Sequence, residues 1–145
     1  MEFHPIKKSD TKAFLLAGNA TLTLKSNVSG THFTYRVRQC EDKELWFVAV
    51  MTGTDNENDF SYLGCIYQDR SFKHGRKSKI GMDAASAKAF AFALPRIIGD
   101  CIPDTLSVYH SGTCCRCGRK LTTPESIQHG IGPECIKMVG NKEAM

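Results

Sequence analysis

A chain of 145 residues, 41% hydrophobic and 23% charged, has the make-up of a folded protein, not a disordered one. Its length allows one domain, or a core of about 100 residues followed by a small metal-held appendix, and we take the second reading. The net charge of +4 permits an anionic partner without requiring one. No apolar run reaches the roughly 20 residues that span a bilayer, and the opening Met1–Lys8 stretch is too polar for a signal peptide, so a cytoplasmic protein without a membrane partner is expected.

From Phe14 to about Arg70 the pattern is that of antiparallel strands. Thr21-Leu22-Thr23-Leu24 alternates with period two, and a break at Asn27-Val28-Ser29-Gly30 leads into Phe33-Thr34-Tyr35-Arg36-Val37-Arg38, which reads as a hairpin with Phe33, Tyr35 and Val37 on one face. Leu45 to Val50 is a denser apolar run, suited to a central strand that buries Trp46. A polar loop around Asp55–Asp59 then precedes Tyr62 to Tyr67. That gives four strands, with a fifth near Phe72.

The period changes after residue 80. Asp83 is placed to cap a helix over Ala84 to Leu94, with Phe90 and Leu94 four apart, Ala87 and Ala91 on the same side, and Pro95 positioned to bend or end it. Thr105 to Tyr109 reads as a short strand leading into a cysteine cluster. The expected class is α+β: residues 1–104 as an antiparallel sheet with one packed helix, and residues 105–145 as a small treble-clef-like zinc module.

Seven cysteines, an odd number without a secretion signal, argue against a disulfide framework. Four crowd between Cys114 and Cys135, whereas Cys40, Cys65 and Cys101 stand alone and are assigned to packing. The spacing His110-x3-Cys114-x2-Cys117-x17-Cys135 supplies the four nitrogen or sulfur donors that tetrahedral zinc requires, and a tight C-x2-C turn places two sulfurs about 2.3 Å from the ion. Gly118 gives that turn its backbone freedom. Pro133 suits the first position of a helix, so Cys135 falls in a first turn where the helix dipole favours a thiolate. His110 is the preferred fourth ligand, with Cys115 and His129 as alternatives. Four protein ligands close the coordination sphere, which makes one zinc ion structural rather than catalytic. The deaminase pattern is absent, since no His-x-Glu occurs upstream and Thr113 precedes Cys114.

Cys114-x-x-Cys117-Gly118-Arg119-x-Leu121-Thr122-x-Pro124-x-Ser126 followed by Gly130-Ile131-Gly132-Pro133-x-Cys135 resembles a small zinc-finger-like domain of unknown function found in phage, prophage and bacterial proteins. The resemblance spans about residues 109 to 138, and the N-terminal part from Phe14 to Ala20 looks like the strand-rich segment that accompanies the module in some phage proteins. It implies a small phage-type accessory protein, working in the cytoplasm of an infected or lysogenic host.

Between Arg70 and Lys79 stand Arg70, Lys73, Arg76, Lys77 and Lys79 with no acid, and Phe72 is available there for stacking; Arg116, Arg119 and Lys120 flank the knuckle. These residues are candidate nucleic-acid contacts through phosphates, although a solvated turn explains residues 70–79 equally well. Asp55, Glu57 and Asp59 begin like a calcium loop, but Phe60 stands where Gly is needed and Ile66 where a bidentate Glu is needed. No nucleophile, base and orienting group stand at recognisable spacing, so no catalytic residue and no small-molecule substrate are assigned. The expected function is binding, either of nucleic acid through the basic surface or of a host protein that the chain inhibits or redirects.

Overall fold

The computed structural model describes residues 4–41, 43–52 and 60–110. The chain is α+β. Among the described residues the strands are β1 (His4–Pro5), β2 (Asn19–Ser26), β3 (His32–Gln39), β4 (Trp46–Met51), β5 (Phe60–Ile66), β6 (Phe72–His74) and β7 (Leu106–His110), and the α-helices are the short α1 (Thr11–Leu15) and α2 (Ala85–Ile98). They form a sheet of order β1-β7-β2-β3-β4-β5-β6, antiparallel at every step.

Meander order runs from β2 to β6, as period-two segments separated by short turns favour. The β2–β3 turn closes where the sequence breaks: Ser26 Oγ accepts from the amides of Val28 and Ser29, and Gly30 adopts φ +78°, a left-handed conformation that glycine takes without a Cβ penalty. Phe14 and Leu15 lie in α1, not in a strand. Thr11 Oγ1 donates to the Lys7 carbonyl at 2.9 Å, a local bond that helps start this single turn, and Phe14 and Leu15 are buried in it.

One helix crosses one face of the sheet. The inward stripe of α2 is Ala87, Phe90, Ala93, Leu94 and Ile97, with Ala91 turned to solvent. Phe90 stacks near Tyr35 and meets Phe72 edge-on, both at 5.0 Å between centroids. Leu22, Tyr35, Val37, Val48 and Ile66 supply the sheet side of this core; burying each such side chain contributes about 1.5–3 kcal/mol. Trp46 is buried, and its indole Nε1 donates to the Leu16 carbonyl at 3.3 Å.

Two helix signals act differently from expectation. Ala84 is the N-cap, with extended backbone and no side-chain cap bond, so Asp83 lies one residue too early to cap. Pro95 sits inside α2, which continues to Ile98. Pro95 and Ala91 both face solvent, so the carbonyl that loses its i+4 partner can bond water instead.

β7 is a full member of the sheet. It pairs with β2 from Leu22↔His110 to Ser26↔Leu106, and β1 closes its other edge, so the sheet runs through His110. Cys65 is buried, Cys40 half-buried and Cys101 exposed, which removes Cys101 from the packing cysteines. Among the described residues no helix is long and apolar enough to cross a membrane.

Candidate metal and nucleic-acid surfaces

His110 ends β7 on the face that carries Leu106 and Val108, and its side chain is fully buried. β1 lays His4 directly opposite it, with ring centroids 5.1 Å apart, and α1 contributes Phe14 at 5.7 Å. The strand that carries the imidazole is thus anchored on both sides four residues before Cys114. Cys114, Cys117 and Cys135, with the alternatives Cys115 and His129, lie outside the described residues, as do Arg116, Arg119 and Lys120. Among the described residues no three His, Cys, Asp or Glu side chains are grouped to hold a metal.

The basic segment divides. Arg70 turns back on the fold: its guanidinium lies 4.8 Å from the Trp46 ring and 3.4 Å from the Glu44 carboxylate. Phe72 packs edge-on against Phe90 and belongs to the core layer, so its ring is not presented for stacking. His74 Nε2 and Ser78 Oγ both bond the Ile80 carbonyl, which shapes the turn between β6 and α2. Lys73, Arg76, Lys77 and Lys79 are exposed, and among the described residues none of these four is in an ion pair with a carboxylate.

Lys73 does not share a surface with Phe72. The register sets Arg38 opposite Phe47, Phe47 opposite Cys65 and Cys65 opposite Lys73, so these four lie in one row across β3, β4, β5 and β6 on the face away from α2. The neighbouring row is Arg36, Ala49 and Tyr62. A register shift at Val48/Ala49 buries Leu63 as the extra residue and turns Tyr62 outward. Phe47 is 44% and Tyr62 36% exposed, with their rings edge-to-face at 6.5 Å. Arg36 covers the Phe60 ring at 4.0 Å, and Lys73 Nζ lies 5.5 Å from the Tyr67 ring.

The backbone at Gly75 packs against the Tyr62 ring. A Cβ on Gly75 would fall 2.4 Å from Tyr62 Cε2, so the absent side chain is what lets the ring lie there. Tyr62 Oη is 3.2 Å from Cys65 Sγ; that contact first, and burial second, push the phenol up to about 12. Asp69, past Lys73, is held by the Ser71 hydroxyl and amide, and those bonds lower its carboxyl more than Lys73 does.

Residues 104–140 match a family model described as a family of unknown function, DUF6011. The matched stretch takes in β7 and the entire cysteine cluster. No curated protein and no solved structure matches the chain.

Chemically, the described face offers two cations at the ends of a row with an aromatic ring between them, a pattern that attracts anions and flat π-systems. The residues that sequence reasoning passed over are Arg38, Phe47 and Tyr62. Phe47 was hidden inside the Leu45–Val50 apolar run. Its signal was strand parity: Trp46, Val48 and Val50 occupy one face, which leaves position 47 on the other.

Proposed function

We propose that the chain is a small phage-type accessory binding protein, built from a sheet-plus-helix body and a structural zinc module, that contacts nucleic acid through a basic surface. The single observation that carries the nucleic-acid reading is the group of exposed cations Lys73, Arg76, Lys77 and Lys79, none of them in an ion pair among the described residues. Phosphates supply the missing charge, and release of their counterions supplies affinity independent of sequence. Arg116, Arg119 and Lys120, outside the described residues, are proposed as further phosphate contacts.

For the metal, His110, Cys114, Cys117 and Cys135 are the proposed ligands of one Zn²⁺. A neutral imidazole and three thiolates are a donor set that zinc favours. His110 supports this reading by its place at the last position of an anchored strand. When bound, the ion folds a segment that has little apolar content of its own. The family match over residues 104–140 coincides with the proposed module and carries no activity with it.

Fluorescence anisotropy of labelled single-stranded and duplex oligonucleotides at low salt tests the first part, and elemental analysis of freshly purified, reduced protein tests the second. The second reading, a factor that docks on a host protein, is favoured by a different observation. Leu24, Val28, Phe33, Phe92 and Leu106 line an apolar groove between the β2–β3 turn and α2, and Val28 and Phe92 are exposed. Partners retained after nuclease treatment and released by Phe92→Asp, together with no oligonucleotide binding at low salt, would select it.

A further inference from the structure

We propose that the face of the sheet opposite α2 is a platform for single-stranded nucleic acid, on which unpaired bases stack against Phe47 and Tyr62 while Arg38 and Lys73 hold the backbone on either side. This rests on the nucleic-acid reading above and goes beyond it by naming the surface and the strand form.

Three observations lead here. The first is register. Arg38, Phe47, Cys65 and Lys73 are successive cross-strand partners, and three inter-strand spacings of about 4.8 Å separate the backbone positions of Arg38 and Lys73 by about 14 Å. The aromatic ring therefore lies between two positive ends rather than beside one. The second is charge. No Asp or Glu occurs among the described residues of β3, β4, β5 or β6, and neither Arg38 nor Lys73 is in an ion pair among the described residues; Asp69, the carboxylate that Lys73 acts on, lies in the β5–β6 turn and is bonded to Ser71. A polyanion complements both edges of the row.

The third observation is preorganisation. Tyr62 is braced against the Gly75 backbone and by its contact with Cys65, and Phe47 meets it edge-on. Rings held in place lose little conformational freedom when a base settles on them. Ala49, between Arg36 and Tyr62 in the neighbouring row, leaves the floor low enough for a planar group. A duplex has no free base face to offer such rings, whereas a single strand does. The turn cations Arg76, Lys77 and Lys79 follow directly from β6, so a strand leaving the row past Lys73 meets further positive charge.

The test measures binding of labelled twelve-residue oligo-dT, oligo-rU and a twelve-base-pair duplex at two salt concentrations, on wild type and Phe47→Ala, with melting curves and solution mass for each protein. Loss of one stacking contact weakens single-strand binding about 5- to 140-fold. Duplex binding and the slope of log K against log salt stay as in wild type, because no cation is removed. Phe47→Trp adds a direct readout: the chain's one native tryptophan, Trp46, is buried and gives a constant background, so quenching by oligonucleotide reports a base on position 47. Either oligonucleotide type binding in this way supports the platform. Wild type that binds single strands while Phe47→Ala binds them equally overturns the platform and leaves the basic-turn reading standing. Wild type that binds no nucleic acid overturns both. A dimer that Phe47→Ala converts to monomer, without oligonucleotide binding, gives the face to a second copy and also overturns the proposal.

Discussion

Gly64 is the most crowded of the described glycines: a Cβ there would stand 2.3 Å from the Lys73 carbonyl oxygen and 2.9 Å from the Phe72 ring. Gly64→Ala must therefore part β5 from β6 or displace Phe72 from Phe90, and we expect a loss of about 1–3 kcal/mol, as for other overpacked cores, read by urea denaturation. Tyr35 is a second such residue. Its hydroxyl donates to the Ser86 carbonyl at 2.6 Å, tying the sheet to the start of α2, and burial raises its pKa well above 10. The folded state holds that proton more tightly than the unfolded chain. Its contribution is thus fully present below about pH 10, the unfolded tyrosine value, and is lost as pH rises above it. Tyr35→Phe should cost about 1 kcal/mol at neutral pH and flatten the fall in stability seen in melts above pH 10. His110 needs a control, because its buried ring also packs against Phe14. His110→Ala should lose stability and zinc together, whereas Val108→Ala, a buried neighbour on the same face, should lose stability and keep zinc. Cys115→Ser and His129→Ala should leave zinc content close to unchanged. If His129→Ala is the variant that loses metal, the assignment of His110 as fourth ligand is wrong.

At the scale of elements, what could be read from sequence followed the strength of the local period. The strands β2 to β5 announce themselves by alternation and by the turn residues between them, and Trp46 follows from its apolar neighbours on both sides. The helix was visible as a run of good helix formers with apolar spacing, but its ends were not. Asp83 has the right side chain at the wrong position, and Pro95 is tolerated because its cost falls on the carbonyl of Ala91, an exposed residue. The strand pattern expected from Phe14 onward begins inside α1, whose five residues hold too little period to distinguish helix from strand. The place of β7 was beyond local signals altogether: Leu106–His110 pairs with residues 80 to 88 positions earlier, and only the closing of the sheet decides that. One consequence bears on the metal. Because β7 is held by β1 and β2 up to His110, loss of zinc should stop short of the sheet. Cys117→Ser and Cys135→Ser should each abolish stoichiometric zinc and leave residues after 110 sensitive to protease, while amide exchange in β2 to β5 remains slow. Exchange that quickens throughout β2 to β5 in these variants would show that the module and the sheet fold as one unit.

For the whole molecule, the question is how a modest net charge of +4 is distributed. The sheet gives it direction: α2 covers one face with apolar contacts, and the other face and the β6–α2 turn carry Arg38, Lys73, Arg76, Lys77 and Lys79. The sequence suggested the turn but not its separation into parts, since Arg70 and Phe72 are committed to Trp46 and Phe90. That separation sharpens the choice of variant. Lys73, Arg76 and Lys77 are exposed and hold no core contact, so replacing all three by Ala should change stability by no more than about 0.5 kcal/mol per site. If the three contact phosphates, affinity for unrelated single strands and duplexes falls alike, and the slope of log K against log salt drops by about two to three, at about 0.7–0.9 per phosphate. A solvated turn predicts another outcome, with affinity and slope both matching wild type. The triple variant and Phe47→Ala therefore report different physics, the first through salt dependence on every nucleic acid and the second through affinity for single strands alone. Measured together over the same salt range, they separate charge from stacking without needing the cognate sequence, because neither term depends on base identity.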